Sequence, residues 1–351
     1  MLAWKPKSCD PRVASARFRC LVPLKELNAR KFPITLFDEK SATEYSGIIF
    51  SKCYDKSDHA LARELRARGG RVILDLCDNH FYNPSRLPAY KIVHKNLLEM
   101  ISLSDQIVCS TTTLADIVMV EASLSRRPEV VGDPVEPTPF SSKIPWWRKL
   151  FSAKSSAVQS RRLLWFGIHG SPNAPCGMSD ICNVAEALVS LHKAYPFELV
   201  VCSNNSEEFA RRIRPLDFPS SYVEYSQAVF PRLLAGMDGV ILPVTLNPFT
   251  LAKSHNRLTT ALFSGIPVVA DGIPSYREFE DFCTLDDWPR GLYELFSEPG
   301  KARNRALLGK RYIEQKWMPV HVANNWEKIL SPLVKDIWPH HFELASSPAP
   351  I

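Results

Sequence analysis

Between positions 239 and 279 the chain reads GVILPVTLNPFTLAKSHNRLTTALFSGIPVVADGIPSYREF. Lys253, Asn256, Arg257 and Thr260 stand there at i, i+3, i+4 and i+7. In a helix that spacing puts them on one face, with Leu258, Ala261 and Leu262 on another. A cation such as Lys253 near a helix start meets the partial positive charge of the backbone dipole, and an anion placed there removes the conflict. A phosphate is one such anion; a polar face turned to water is the other reading of the same residues.

The elements that must hold this face are an apolar strand over 240–244, a loop with Asn247-Pro248, a helix ending before Gly265, and a strand over 267–270. Two other places carry candidate chemistry. Arg17 and Arg19 sit where a Pro/Ser-containing loop meets a helix that Pro23 is expected to bend or break. Further on, RVILDLCDNHF supplies a strand over 72–76 whose C-terminal end bears Asp78 and His80. Loops after strand C-termini bind ligands in open α/β sheets, so these two are candidates for ligand contact or proton handling. A capped turn and a structural histidine are the competing reading. In the second half, a strand over 163–166 runs into a loop over 167–177 and then a helix, an arrangement that points backbone N–H groups at a phosphate, although it is neither GxGxxG nor a P-loop.

The helix followed by Gly265, Pro267, Val268 and Val269 resembles the donor-binding region of group 1 (family 4) glycosyltransferases. The pattern KSxNRxTTALxxGxPVVA is similar to that of a bacterial subgroup. The resemblance implies the GT-B fold, α/β with two Rossmann-like domains whose mostly parallel sheets face a central cleft. It implies a nucleotide-sugar donor and a glycan or lipid-linked acceptor in bacterial cell-surface polysaccharide synthesis. Lys253, Ser254, Asn256, Arg257, Thr260, Phe249, Gly167 and Asn173 become candidate donor contacts, and Arg17 and Arg19 candidate phosphate or acceptor contacts. Asp78 and His80 are the catalytic candidates. Two departures stand out. Many members carry a pair of glutamates where this chain has Ala252 and Thr260, and a lysine where Cys176 precedes Gly177. The stereochemical outcome is therefore left open. No cofactor beyond the donor and no metal are expected, because cationic side chains can neutralise a departing diphosphate. A nucleotide-sugar epimerase or phosphorylase on the same fold, or a non-catalytic nucleotide-sugar-binding protein, is the alternative.

Length and composition agree with a two-domain globular protein. The chain has 351 residues, 45% hydrophobic and 23% charged, with a net charge of +6, which is too mild to argue for nucleic acid. Nine cysteines without a CxxC pair suit a reducing compartment. Lysines interrupt the first residues before any secretory apolar region forms, and no run reaches the roughly 18–20 apolar residues of a spanning helix, so a cytoplasmic location is expected. Alternating strands and helices predict doubly wound parallel sheets in an N-terminal domain over 1–140 and a C-terminal domain over 161–330. A linker over 141–160 separates them, and an extension over 331–351 ends in a disordered tail. Within the linker, IPWWRKLF combines aromatic and basic residues, as a peripheral membrane contact or a packed linker would.

Overall fold

The computed structural model describes residues 1–136 and 161–334. The linker and tail expectations, including the aromatic-basic run, lie outside the described residues. Two compact units account for the rest. Unit 1 takes Met1–Pro134, Ala252–Ser254 and the residues from Trp317; unit 2 takes the described residues of Val135–Leu251 and His255–Lys316.

Unit 1 is built on six parallel strands: β1 (Leu2–Pro6), β2 (Ile34–Leu36), β3 (Gly47–Ser51), β4 (Arg71–Leu76), β5 (Gln106–Cys109) and β6 (Glu129–Val130). Their order is β2-β1-β3-β4-β5-β6. Because side chains alternate across a strand, the sheet feeds two cores. Ala3, Ile48, Phe50, Val72, Leu74 and Leu76 point to one side, under helices Lys56–Ala67, Pro88–Leu103 and Thr112–Glu121. Leu2, Trp4, Ile49, Ile73 and Val108 point to the other, under Leu24 and Leu27 and under Val322, Trp326 and Leu330. Helix Pro319–Val334 thus completes the first unit, so the boundary expected at 330 falls by packing at Lys316. Its Trp326 meets Trp4 edge-on, with ring centroids 4.8 Å apart.

The first helix does not break at Pro23. It begins at Ala14, widens into a π turn over Arg17–Leu21 and continues as Val22–Ala29. Proline has no N–H to offer the carbonyl of Arg19, and the turn before it shifts to a longer ring in which Val22 N–H reaches the Arg17 carbonyl. Thr111 caps Thr112–Glu121 through its hydroxyl, which accepts from Leu114 N–H at 3.1 Å.

Unit 2 repeats the plan with β7 (Arg161–Phe166), β8 (Phe197–Ser203), β9 (Ser220–Glu224), β10 (Gly239–Leu242), β11 (Val268–Ala270) and β12 (Thr284–Leu285), again all parallel, in the order β12-β11-β10-β7-β8-β9. Leu163, Trp165, Leu199, Val201, Ile241 and Val269 form one core with Leu188, Phe209, Leu292 and Phe296 from the helices. In each unit the strand order reverses beside its first strand, between β1 and β3 and between β7 and β10. Ligands bind outside the carboxyl ends of the strands at such reversals.

Candidate functional sites

At the unit 2 reversal, the loop after β7 is held by its glycines. Gly177 has φ +101°, and a Cβ there would stand 2.2 Å from the His169 carbonyl oxygen, so the turn requires glycine. Its N–H donates to Asp180 Oδ2 at 2.8 Å, and Met178 N–H donates to the His169 carbonyl at 2.9 Å. Asp180 also accepts from the Thr245 hydroxyl at 2.6 Å, which ties the loop after β10 to the loop after β7. Asn247 adds a second tie, donating from Nδ2 to the Pro175 carbonyl at 2.8 Å. Burial raises the Asp180 carboxyl above its ordinary value.

Into this frame the helix Asn256–Phe263 brings Arg257 at its second position. The guanidinium lies over the Trp165 ring at 6.0 Å and close to the buried Tyr276. A Cβ on Gly167 would stand 3.3 Å from Arg257 Nη1, so the missing side chain leaves the guanidinium its place. Among the described residues Arg257 forms no salt bridge, although it sits at the positive end of a helix. The structure therefore brings Gly167 and Arg257 together, with Asn256 opening the helix.

Other expected donor contacts are placed differently. Lys253 is not on the helix, which starts three residues later; the first helical bond runs from Thr259 N–H to the His255 carbonyl. Ala252–Ser254 pack with unit 1, where the Thr111 hydroxyl donates to the Ala252 carbonyl at 3.0 Å and Lys253 pairs with Asp78. The anion that the sequence demanded beside Lys253 is a carboxylate of the chain itself. Half-buried Ser254 follows in the same run. The Thr260 hydroxyl spends its proton on the Asn256 carbonyl at 2.7 Å, a bond internal to the helix. Phe249 and Asn173 are buried; Asn173 accepts from Ser171 within its own loop.

At the unit 1 reversal, register builds the site. Ser51 pairs with Asp75 across β3 and β4, so Lys52 follows one strand and Asp78 the other. Asp78 accepts from both Lys52 and Lys253. Burial opposes its ionisation, but the two lysines outweigh it and hold the carboxyl well below the usual range. So clamped, Asp78 is held as a carboxylate. His80 shares a hydrogen bond with the Tyr54 hydroxyl. Burial, helped by Lys52 and Lys253, pushes its imidazole down to about 4, so the ring is neutral at physiological pH.

Arg19 is 1% exposed and fully committed. It donates to Asp75 Oδ1 at 2.5 Å, Asp133 Oδ1 at 2.9 Å and the Val131 carbonyl at 2.5 Å. Burial works against its charge, but both carboxylates outweigh burial and keep it protonated. It is a buried staple between β4 and the segment after β6, not the expected phosphate contact. Arg17 likewise turns inward, onto Phe18 and the Pro11 carbonyl at 2.7 Å. Lys52, Tyr54, Asp180 and Tyr276 escaped the sequence reading. Of these only Lys52 had a signal, as the charged residue directly after the apolar strand GIIFS.

Two doubly wound parallel sheets, each reversing beside its first strand, define the GT-B fold of glycosyltransferases. HepE from Anabaena, solved in complex with UDP and glucose, is similar at a TM-score of 0.67 and 14% identity, over 94% of this chain and 99% of HepE. OtsA in its apo form matches at 0.61 and 12% identity over 99% of both chains. Sucrose-phosphate synthase from Thermosynechococcus elongatus matches at 0.60 and 12%, over 92% of this chain and 79% of its own. No protein-family model and no curated protein sequence matches the chain. Among the described residues no helix is long and apolar enough to cross a membrane.

Proposed function

We propose that the chain is a glycosyltransferase that takes a sugar from a nucleotide-sugar and passes it to a glycan or lipid-linked acceptor in cell-surface polysaccharide synthesis. The observation that carries this reading is Arg257. A guanidinium without a salt-bridge partner among the described residues stands at a helix N-terminus, beside a glycine, at the strand-order reversal of unit 2. An anionic ligand there would meet a delocalised cation and the positive end of the helix dipole together. The similarity to HepE with UDP bound supports a nucleoside diphosphate as that anion.

During transfer the bond between the sugar's anomeric carbon and the diphosphate oxygen breaks, an acceptor hydroxyl oxygen bonds to the same carbon, and the hydroxyl proton passes to the departing diphosphate. Negative charge grows on the departing diphosphate, and Arg257 with the helix N-terminus would stabilise it more in the transition state than in the ground state. In this reading side-chain cations supply that stabilisation without a metal. Neutral His80 of unit 1 is the group we assign to acceptor positioning.

Calorimetric titration with UDP tests the assignment. Arg257→Ala removes a charge-assisted bond worth roughly 1.5–3 kcal/mol, so UDP affinity should fall about 10- to 150-fold. Equal affinity in parent and variant would show that the diphosphate binds elsewhere.

A further inference from the structure

Unit 1 has a cavity of about 140 Å³ at its own strand-order reversal, between the ends of β1 and β3 and the start of the first helix. Its space is far above what one water needs. Nine residues line it: Lys7, Arg19 and Lys52 are cations, Ser8, Ser15 and Ser51 bring hydroxyls, and Pro6, Val13 and Ala16 are apolar. The acidic neighbours of the cations are already engaged. Asp75 and Asp133 hold Arg19, Asp58 holds Lys5, and Asp78 is shared by Lys52 and Lys253. Lys7 is exposed, lies over the Tyr54 ring at 5.9 Å and has no carboxylate partner among the described residues.

The backbone under Lys52 is held at φ +58°, a left-handed conformation that a lysine rarely adopts. Its N–H donates to the Asp75 carbonyl at 3.1 Å, which fixes that turn. Strain of this kind persists where the surroundings over-determine it, and it gathers at binding sites. Here it aims a long cationic side chain over the ends of β3 and β4 instead of letting the chain run straight on.

We propose that this cavity binds an anionic group, a phosphate or a carboxylate, through Lys7 and Lys52, and that the acceptor sugar carries that group. The binding site stands on unit 1 alone; the assignment of its ligand as acceptor rests on the transferase reading. Lys52 would then be shared between ligand and Asp78, which makes it a specificity-determining residue that favours charged over neutral acceptors.

The test uses the full chain saturated with UDP, so that the unit 2 site is filled, and follows the melting temperature at constant ionic strength. Inorganic phosphate, glucuronate and glucose are titrated separately, since a ligand of the folded state raises apparent stability. At least one anion should stabilise the protein while glucose does not; phosphate alone or glucuronate alone identifies the group, and both outcomes support the site. Lys7→Ala should weaken that response about fivefold and Lys52→Asn about tenfold, charge-assisted contacts being the stronger kind. Asparagine tolerates the left-handed turn, so Lys52→Asn keeps the fold. No response to either anion, a glucose response of equal size, or unchanged responses in both variants would overturn the proposal. If UDP itself does not bind, the donor reading fails separately; the anion titrations are then run on Arg257→Ala, which lacks the unit 2 cation and still reads unit 1.

Discussion

Replacing Asp78 by asparagine should expose how much of unit 1 depends on one carboxylate. The change keeps the shape and leaves two ammonium groups facing a neutral amide. Removing one partner of a fully buried pair costs about 3–5 kcal/mol, whereas an exposed pair is worth about 0.2–1 kcal/mol. The Lys52 side chain is 22% exposed and that of Lys253 37%. Lys52 therefore sits between the limits, at about 1.5–2 kcal/mol, and Lys253 near the exposed limit, at about 0.5–1 kcal/mol. Their sum of about 2–3 kcal/mol should lower the melting temperature by roughly 4–12 °C, at about 2–4 °C per kcal/mol for domains of this size. Double-mutant cycles apportion it: Asp78→Asn against Lys52→Met should give the larger coupling, and against Lys253→Met the smaller. High salt should shrink the second more than the first. A melting temperature within about 1 °C of the parent, or a Lys253 coupling larger than that of Lys52, would refute a site graded by burial.

Two further outcomes are expected. Gly177→Ala puts a Cβ against the His169 carbonyl at positive φ, and should cost at least about 2 kcal/mol in urea unfolding and weaken UDP binding, because the same turn sets the loop beside Arg257. His80 has a folded pKa of about 4, below its ordinary 6.5. The stability this confers is complete above about pH 6.5 and is lost as pH falls toward 4, at most about 3 kcal/mol. Urea midpoints measured from pH 7 to pH 4.5 should thus fall more steeply for the parent than for His80→Gln, and parallel curves would contradict a buried neutral ring.

Much of the architecture was legible because parallel strands buried on both faces write continuous apolar runs. The strands expected over 72–76, 163–166 and 267–270 are Arg71–Leu76, Arg161–Phe166 and Val268–Ala270. Ile34–Leu36 escaped, being three residues beside a proline, too short for any period to show. The expectation at Arg257 and Gly167 rested on local spacing, and the fold places those two residues together. Lys253 and Arg19 have partners that local spacing does not show. Each pairs with a carboxylate distant in sequence, Asp78 for the first and Asp75 and Asp133 for the second. Helical spacing says which residues share a face only once the helix start is known, and here the helix opened after Lys253. The cavity beside Lys52 depends on the register of Ser51 with Asp75, which no single stretch contains.

Trp326 against Trp4 also fixes an order of assembly. The ribosome delivers β1 before any of unit 2, yet one face of the first sheet lacks its cover until Val322, Trp326 and Leu330 have emerged. Unit 2 has all its residues when Lys316 is made. The half of the molecule that is synthesised first is thus the half that can finish folding last. Until then Trp4, Ile49 and Ile73 present an apolar surface to the cell, and a nascent chain stalled before position 317 should be the form that chaperones hold most tightly.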